Sequence, residues 1–145
     1  MAITQLSAFL ENTPGTLSKV VDAITDAGVN IRALSVADTK DFGILRIIVS
    51  DIEKTKAALD ECTAIIETPV VVVKMNDQAG SLKMILDVLK TADVNIEYIY
   101  AFTGAIHRSA YVVFRVDDVE GAESILEQKG VKTLVDEDLS HFLTH

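Results

Sequence analysis

The sequence has little of what marks several common classes of protein. It has one cysteine, Cys62, so the chain cannot form an internal disulfide, which fits a reducing cytoplasm. We interpret Cys62 as a buried or half-buried thiol. Lys and Arg number 13 against 22 Asp and Glu, and the formal net charge is −9. Because this charge repels a polyanion and no basic stripe is present, we expect no nucleic-acid partner.

Long apolar runs are also absent. The valine run at 70–73 falls far short of the roughly 20 apolar residues that a membrane-spanning helix needs. The N-terminus has no basic segment followed by an apolar one, so we expect no secretory signal. We therefore predict a cytoplasmic protein with no membrane partner.

Motifs for catalysis and metal binding are absent as well. There is no Cys-x-x-Cys pair, and His107, His141 and His145 are not spaced like metal ligands. Neither a P-loop nor a dinucleotide-binding fingerprint is present, and no serine lies in a nucleophile elbow. We predict no metal, no cofactor and no catalytic residues.

What the sequence does contain is an internal repeat with a spacing of 65 residues. Each copy has a glycine turn before a helix-like stretch and an Asn-Ile pair after it. A repeat of this length means that each unit is a supersecondary assembly. The matching segments are Asn12-Thr13-Pro14-Gly15-Thr16-Leu17 with Asp77-Gln78-Ala79-Gly80-Ser81-Leu82, and Val29-Asn30-Ile31 with Val94-Asn95-Ile96.

The apolar periodicity predicts the order strand–helix–strand–strand–helix–strand in each copy. In the first copy the strands fall at 3–10, 30–37, 43–49 and 64–68, and in the second at 70–75, 95–102, 109–116 and 131–135. Beyond the hairpin the offset between copies grows to 67, which indicates a longer second hairpin. We predict an α+β fold of two ferredoxin-like βαββαβ units at 1–68 and 69–145, each an antiparallel sheet with helices on one face.

Turn residues predict where the helices begin and end. Asn12 or Thr13 can cap the first helix, and Pro14 suits its first turn. Gly28 is the expected left-handed stop of that helix. Capping-box spacing that starts at Ser50 and again at Asp117 predicts the second helix of each unit.

The predicted strands are apolar on both faces, so we expect both faces of each sheet to be covered. The cover could be the twin unit or a second chain. Tyr98, Tyr100 and Phe102 share one side of a strand. They are interpreted as packing between units or subunits, or alternatively as a stacking surface for a ligand.

A βαββαβ unit with a Pro-Gly-x-Leu turn and a Val-Asn-Ile strand start resembles the ACT domain. The repeated segments quoted above carry this resemblance over nearly the whole chain, which is similar to a stand-alone tandem ACT protein. The resemblance implies a regulatory domain that binds an amino acid at the interface of two paired domains and acts on enzymes of amino-acid metabolism. It implies a homo-oligomer, expected to be a dimer.

The ligand would contact the glycine turn of one domain and the second strand of its partner. A glycine turn at a helix N-terminus offers backbone N–H donors, and Asn30 or Asn95 offers both a donor and an acceptor. Asp77 could bind an ammonium group directly, whereas Asn12 is neutral, so the two sites need not be equivalent. The same residues could instead be ordinary caps and turn residues. The implied ligand-binding residues are Asn12, Thr13, Pro14, Gly15, Thr16, Leu17, Asn30 and Ile31, and Asp77, Gln78, Ala79, Gly80, Ser81, Leu82, Asn95 and Ile96.

The leading hypothesis is a non-catalytic amino-acid sensor that modulates a partner enzyme or its own assembly. The alternative is the regulatory subunit of one biosynthetic enzyme, as the small subunits of acetolactate synthase are. A small enzyme on a ferredoxin-like scaffold would require a buried acid–base pair, which the sequence does not reveal.

Overall fold

The computed structural model describes residues 2–11, 13–38, 42–76, 79–103, 109–136 and 138 of the chain. Asn12, Asp77 and Gln78 therefore lie outside the described residues. The described elements form an α+β fold with antiparallel strand pairing, as predicted. In chain order they are β1 (Ile3–Glu11), α1 (Thr16–Asp26), β2 (Ile31–Asp38), β3 (Phe42–Val49), α2 (Ile52–Leu59), β4 (Ile65–Asn76), α3 (Ser81–Thr91), β5 (Ile96–Thr103), β6 (Ser109–Val116) and α4 (Val119–Gln128).

The chain divides into two compact units, and the division falls inside β4 between Thr68 and Pro69. Residues before Gln5 group with the second unit. The independent domains 1–68 and 69–145 remain a prediction.

In the first unit, β1 and β2 both pair with β3, which gives the strand order β2-β3-β1. Alternate residues of β1 and β3 point toward α1 and α2, because side chains alternate between the faces of a strand. They form a core with the apolar stripes of the two helices. The core residues include Leu6, Ala8, Leu10, Val20, Ile24, Leu45, Ile47, Val49 and Leu59.

The second unit repeats this arrangement with the strand order β4-β6-β5. Leu6 pairs with Ile47 in the first unit, and Val71 pairs with Phe114 in the second. The connection from β5 to β6 is longer than the one from β2 to β3, which confirms the longer second hairpin. The second core includes Val71, Val73, Ile85, Leu89, Val112, Phe114, Val116, Ala122 and Leu126.

The start of α1 differs from the prediction. Its N-cap is Gly15, with φ 85 in the left-handed region, rather than Asn12 or Thr13, and Pro14 precedes the helix instead of lying in its first turn. Glycine has no Cβ to penalise this conformation, so the chain can turn directly into the helix at that residue. α3 begins in the same way at Gly80, with φ 90.

The predicted caps of α2 and α4 are shifted by one residue. Asp51, rather than Ser50, accepts a hydrogen bond from the Lys54 amide at 3.0 Å. Asp118 accepts one from the Gly121 amide at 3.0 Å. The capping-box spacing therefore found the helices but not the capping residues. The stop of α1 at Gly28 is confirmed by its φ of 74.

Two predicted strands merge and another nearly disappears. The strands at 64–68 and 70–75 are one continuous strand, β4, with Pro69 inside it. The predicted last strand is reduced to one isolated antiparallel bridge between Val73 and Thr133. Beyond the bridge, the Val135 amide donates to Asp138 Oδ2 at 2.9 Å, and the Asp138 amide donates to the Val135 carbonyl at 2.9 Å.

Burial of the strands is uneven. On the face away from the helices, Ile48 and Ala33 are buried, but Phe9 and Phe42 are 41% and 54% exposed. The expected cover is therefore incomplete on this face of the first unit. Cys62 is also exposed, because it lies in the turn after α2 and not in the core, so its interpretation as a buried thiol is wrong.

Candidate functional site

The turn between β1 and α1 is held by its own backbone. The Thr16 amide donates to the Thr13 carbonyl at 3.3 Å, and the Lys19 amide donates to the Gly15 carbonyl at 3.0 Å. The hydroxyl groups of Thr13 and Thr16 lie 2.6 Å apart and share a hydrogen bond. Thr13, Pro14 and Gly15 are exposed, so this turn presents main chain and hydroxyl groups to solvent.

The turn before α3 has the same backbone path. The Met84 amide donates to the Gly80 carbonyl at 3.0 Å, which matches the bond at Gly15. Ala79 and Gly80 are exposed and Ser81 is half-buried. Leu17 and Leu82, which follow the two glycines at the same distance, are each 38% exposed.

The two kinds of helix start differ in their capping. A carboxylate accepts from a first-turn amide in α2 and in α4, whereas no side chain of the described residues caps α1 or α3. The first amides of a helix have no acceptor within the helix, and they carry the positive end of its dipole. Within the described residues, the first turns of α1 and α3 therefore have amides without a side-chain acceptor, and such amides suit an anionic group such as a carboxylate.

Asn30 and Asn95 are held by their backbones, not by their side chains. The Asn30 amide donates to Ser50 Oγ at 2.9 Å, and the Ser50 amide returns a bond to the Asn30 carbonyl at 2.9 Å. The Asn95 amide donates to Asp117 Oδ1 at 3.0 Å, and the Asp117 amide donates to the Asn95 carbonyl at 3.1 Å. Both asparagines are exposed, and within the described residues neither side-chain amide forms a hydrogen bond.

The glycine turn and the asparagine of one unit are not brought together. Gly15 precedes α1 and Asn30 follows it, so they lie at opposite ends of an 11-residue helix. A helix of that length spans about 16 Å. Gly80 and Asn95 are separated by α3 in the same way. One unit therefore cannot place both residues on one small ligand.

The aromatic residues of β5 stack with neighbouring rings. Tyr98 and Tyr100 have ring centroids 6.5 Å apart, and Phe102 stacks on Tyr111 with a centroid distance of 5.0 Å. Burial raises the pKa of the Tyr111 hydroxyl. Tyr98, Tyr100 and Phe102 remain half-buried, and their interpretation as an interface or a ligand surface stays a prediction.

A groove of about 710 Å³ lies between α3 and α4 and reaches Gly80. Met84 and Ile125 contribute apolar lining, and Met84 is 55% exposed. Lys19 and Ala58 occupy the matching positions of the first copy. This groove was not among the predicted sites, although the larger apolar residues at these positions of the second unit were a signal for it.

The described ranges contain no group of three or more His, Cys, Asp or Glu residues that could hold a metal ion. No helix in them has the length and apolar character needed to cross a membrane.

A family model described as "ACT domain pair" matches residues 1–143. The chain belongs to the ACT domain pair family. The recognition made from the repeated turns and Val-Asn-Ile segments is thereby confirmed. An ACT domain pair is a regulatory type of domain.

Solved structures agree with this assignment. The chain is 38% identical to the protein BT0572 from Bacteroides thetaiotaomicron, with a TM-score of 0.89 and 96% of each chain covered. The ligand-free regulatory subunit of aspartate kinase from Thermus thermophilus is 16% identical, with a TM-score of 0.62 over 88% of this ACT domain pair and 93% of that chain. The regulatory subunit of aspartate kinase from Thermus flavus is 15% identical, with a TM-score of 0.60 and the same coverage. No curated protein sequence matches the chain.

Proposed function

We propose that this ACT domain pair is a non-catalytic regulatory protein that binds an amino acid. Binding would modulate either a partner enzyme or the assembly state of the protein itself. The observation that carries the proposal is the absence of a side-chain cap, within the described residues, at the starts of α1 and α3. First-turn amides without a side-chain cap are suited to the α-carboxylate of an amino acid. The kinship with regulatory subunits of aspartate kinase supports a regulatory role, because those proteins share this fold.

The second half of each site comes from a second copy of the chain in this proposal. β2 and β5 each pair with one neighbour within the described residues, so each has an open edge. If β2 paired antiparallel with β2 of a second chain, the first units of the two chains would run in opposite directions. The start of α1 in one copy would then approach Asn30 of the other. This arrangement supplies the contact that a single unit cannot make.

The two sites are expected to differ in their ligand chemistry. The second turn has Asp77 where the first has Asn12, and Ala79 where the first has Pro14. A carboxylate can pair with the ligand's ammonium group, whereas an asparagine offers a neutral acceptor. We expect tighter binding at the turn that contains Gly80.

Regulation then follows from a shift in population. A ligand that binds the paired state better than the separated state shifts the equilibrium by that difference in affinity, typically about 1–3 kcal/mol. A partner enzyme that recognises the paired state would read out the change. The regulatory subunit of a single biosynthetic enzyme, of the acetolactate synthase type, remains the alternative, and co-purification of one stoichiometric enzyme from the native host would favour it.

The test is a thermal-shift screen of ligand-free protein against the common amino acids, each compared with its amide, in which the carboxylate is neutralised. A free ligand at 100 times its dissociation constant should stabilise the protein by about 2.7 kcal/mol. The amide should give little stabilisation. If no amino acid shifts the transition, the proposal is wrong.

Asn95→Ala and Asn30→Ala distinguish a ligand contact from a structural role. Neither side chain forms a hydrogen bond to the described part of the fold. The free energy of unfolding of each variant should therefore lie within about 0.5 kcal/mol of that of the parent protein. Each should nevertheless weaken amino-acid binding. Ser50→Ala is the matched control, because it removes the hydroxyl that holds the Asn30 amide and should lower stability while leaving the asparagine in place.

A further inference from the structure

Arg32 has buried donors without acceptors. It is half-buried near the start of β2, and its Nε and Nη1 atoms are buried with no hydrogen-bond partner among the residues that the structure describes. A buried polar group without a partner is costly, and a charged one more so. Arginine stays protonated in proteins, so the missing acceptors are expected to belong to an anion.

The second unit shows what the same position looks like with a partner. Strand register shifts at Arg32 in β2 and at Glu97 in β5, so both residues occupy the same bulge. Glu97 Oε2 lies 3.3 Å from Nε of Arg115, which is the residue on the neighbouring strand. At the position of Arg115 the first unit has Ile48, which is buried and apolar. The first unit therefore has a charged residue at the bulge, Arg32, but an apolar residue where the second unit has the oppositely charged partner.

The geometry of the guanidinium favours a carboxylate as the missing group. Nε and Nη1 lie on different edges of the planar group, and each shares its edge with Nη2, which is not among the buried atoms, so a group from outside the chain would approach either edge from Nη2. A carboxylate can accept two parallel N–H bonds from either edge. Burial also lowers the pKa of Arg32, because loss of solvent disfavours the charged form of the side chain.

We propose that Arg32 binds a carboxylate supplied from outside its own chain. β2 has an open edge, and Arg32 lies two residues after Asn30, which places it beside the surface where ligand and second copy are proposed to meet. The carboxylate belongs either to a small amino-acid ligand or to an acidic side chain of a second copy. The first source rests on the proposed amino-acid binding, whereas the second rests only on the proposed pairing of two chains along β2.

The experiment compares the intact protein with Arg32→Gln and Arg32→Lys. Calorimetric titration with each common amino acid measures the small-molecule source, and sedimentation equilibrium measures self-association. Loss of charge-assisted bonds should weaken one of these equilibria by about 10- to 100-fold in Arg32→Gln. Arg32→Lys keeps the positive charge but lacks the planar guanidinium that donates two parallel bonds. The affinity of this variant should therefore lie between those of Arg32→Gln and the parent protein.

Glu97→Gln is the matched control, because it breaks a pair whose two members belong to one chain. It should leave both equilibria within about twofold of the parent protein. Weaker amino-acid binding in Arg32→Gln, with unchanged self-association of the ligand-free protein, identifies the ligand as the source. Weaker self-association of the ligand-free protein identifies a second copy, whether or not amino-acid binding also weakens. Unchanged values for both would overturn the inference, since water would then satisfy Arg32. If Arg32→Gln does not fold, the same two measurements on Arg32→Lys decide.

The two proposals fail in different ways. If no amino acid binds the parent protein, the proposed function is wrong, but the self-association of the Arg32 variants still tests the inference. If an amino acid binds and neither Arg32→Gln nor Arg32→Lys alters binding or assembly, the function stands and the role of Arg32 is wrong.

Discussion

Replacing Leu34 by lysine tests whether a second copy pairs along β2. Leu34 is 50% exposed in a single chain, so the substitution removes little buried surface and should change the free energy of unfolding by less than about 0.5 kcal/mol. A lysine on an open edge strand opposes strand addition, because it places a charge where a neighbouring strand would pair.

The expected effect on assembly is larger. Complete burial of a leucine side chain contributes about 1.5–3 kcal/mol, and about half of Leu34 remains to be covered. In a two-fold dimer each chain buries one Leu34 side chain, so the two contributions add. Their loss therefore weakens the dimer by about 1.5–3 kcal/mol. That is a rise of about 10- to 100-fold in the dimer dissociation constant, before repulsion between the two lysines is included.

Sedimentation equilibrium of Leu34→Lys and of Phe42→Lys measures this effect. Phe42 is 54% exposed but lies in β3, which pairs on both sides, so its lysine variant is matched in charge and exposure without altering an edge. Leu34→Lys should also weaken amino-acid binding, since the proposed site is divided between copies. Self-association and ligand affinity equal to those of Phe42→Lys would refute pairing along β2.

Two further predictions concern stability. Asp51→Ala and Asp118→Ala each remove a helix cap, so denaturant unfolding should show a loss of about 1 kcal/mol for each; a loss below about 0.3 kcal/mol would mean that the caps contribute little. Burial raises the pKa of Tyr111, so the unfolded state releases this proton at lower pH than the folded state does, and stability should fall as the pH rises above about 10. Tyr111→Phe should flatten that part of the pH profile, and an unaltered alkaline slope would contradict the assignment.

The repeat predicted most of the fold because it was visible in local turns and apolar spacing. The same local patterns did not identify which residues cap the helices. Gly15 starts α1 because a left-handed residue can redirect the chain, and that choice overrode the preference for Asn12 or Thr13. Asp51 caps α2 because Ser50 is engaged by the Asn30 amide, a contact between residues 20 positions apart. Such a contact cannot be read from the spacing of a capping box.

The division of the candidate site between two paired domains was implied by the family resemblance alone, because the spacing of its residues along the chain does not reveal it. The sequence places Gly15 and Asn30 close along the chain, whereas the structure separates them by the length of α1. The open donors of Arg32 also depend on what faces it across the sheet. Only the paired strands show that Ile48 stands where the other unit has Arg115.

A comparison of the two repeated units within the chain distinguishes residues that the fold requires from residues that it does not. Buried positions vary freely in shape, as where Leu6 is matched by Val71 and Ile47 by Phe114. Cores tolerate such exchanges when their volume is kept. Asn30 is matched by Asn95 although both are exposed and their side chains form no hydrogen bond in the described part of the fold. Packing and hydrogen bonding within the described residues do not account for this identity, which favours the proposed contact of these side chains with a ligand or a second chain.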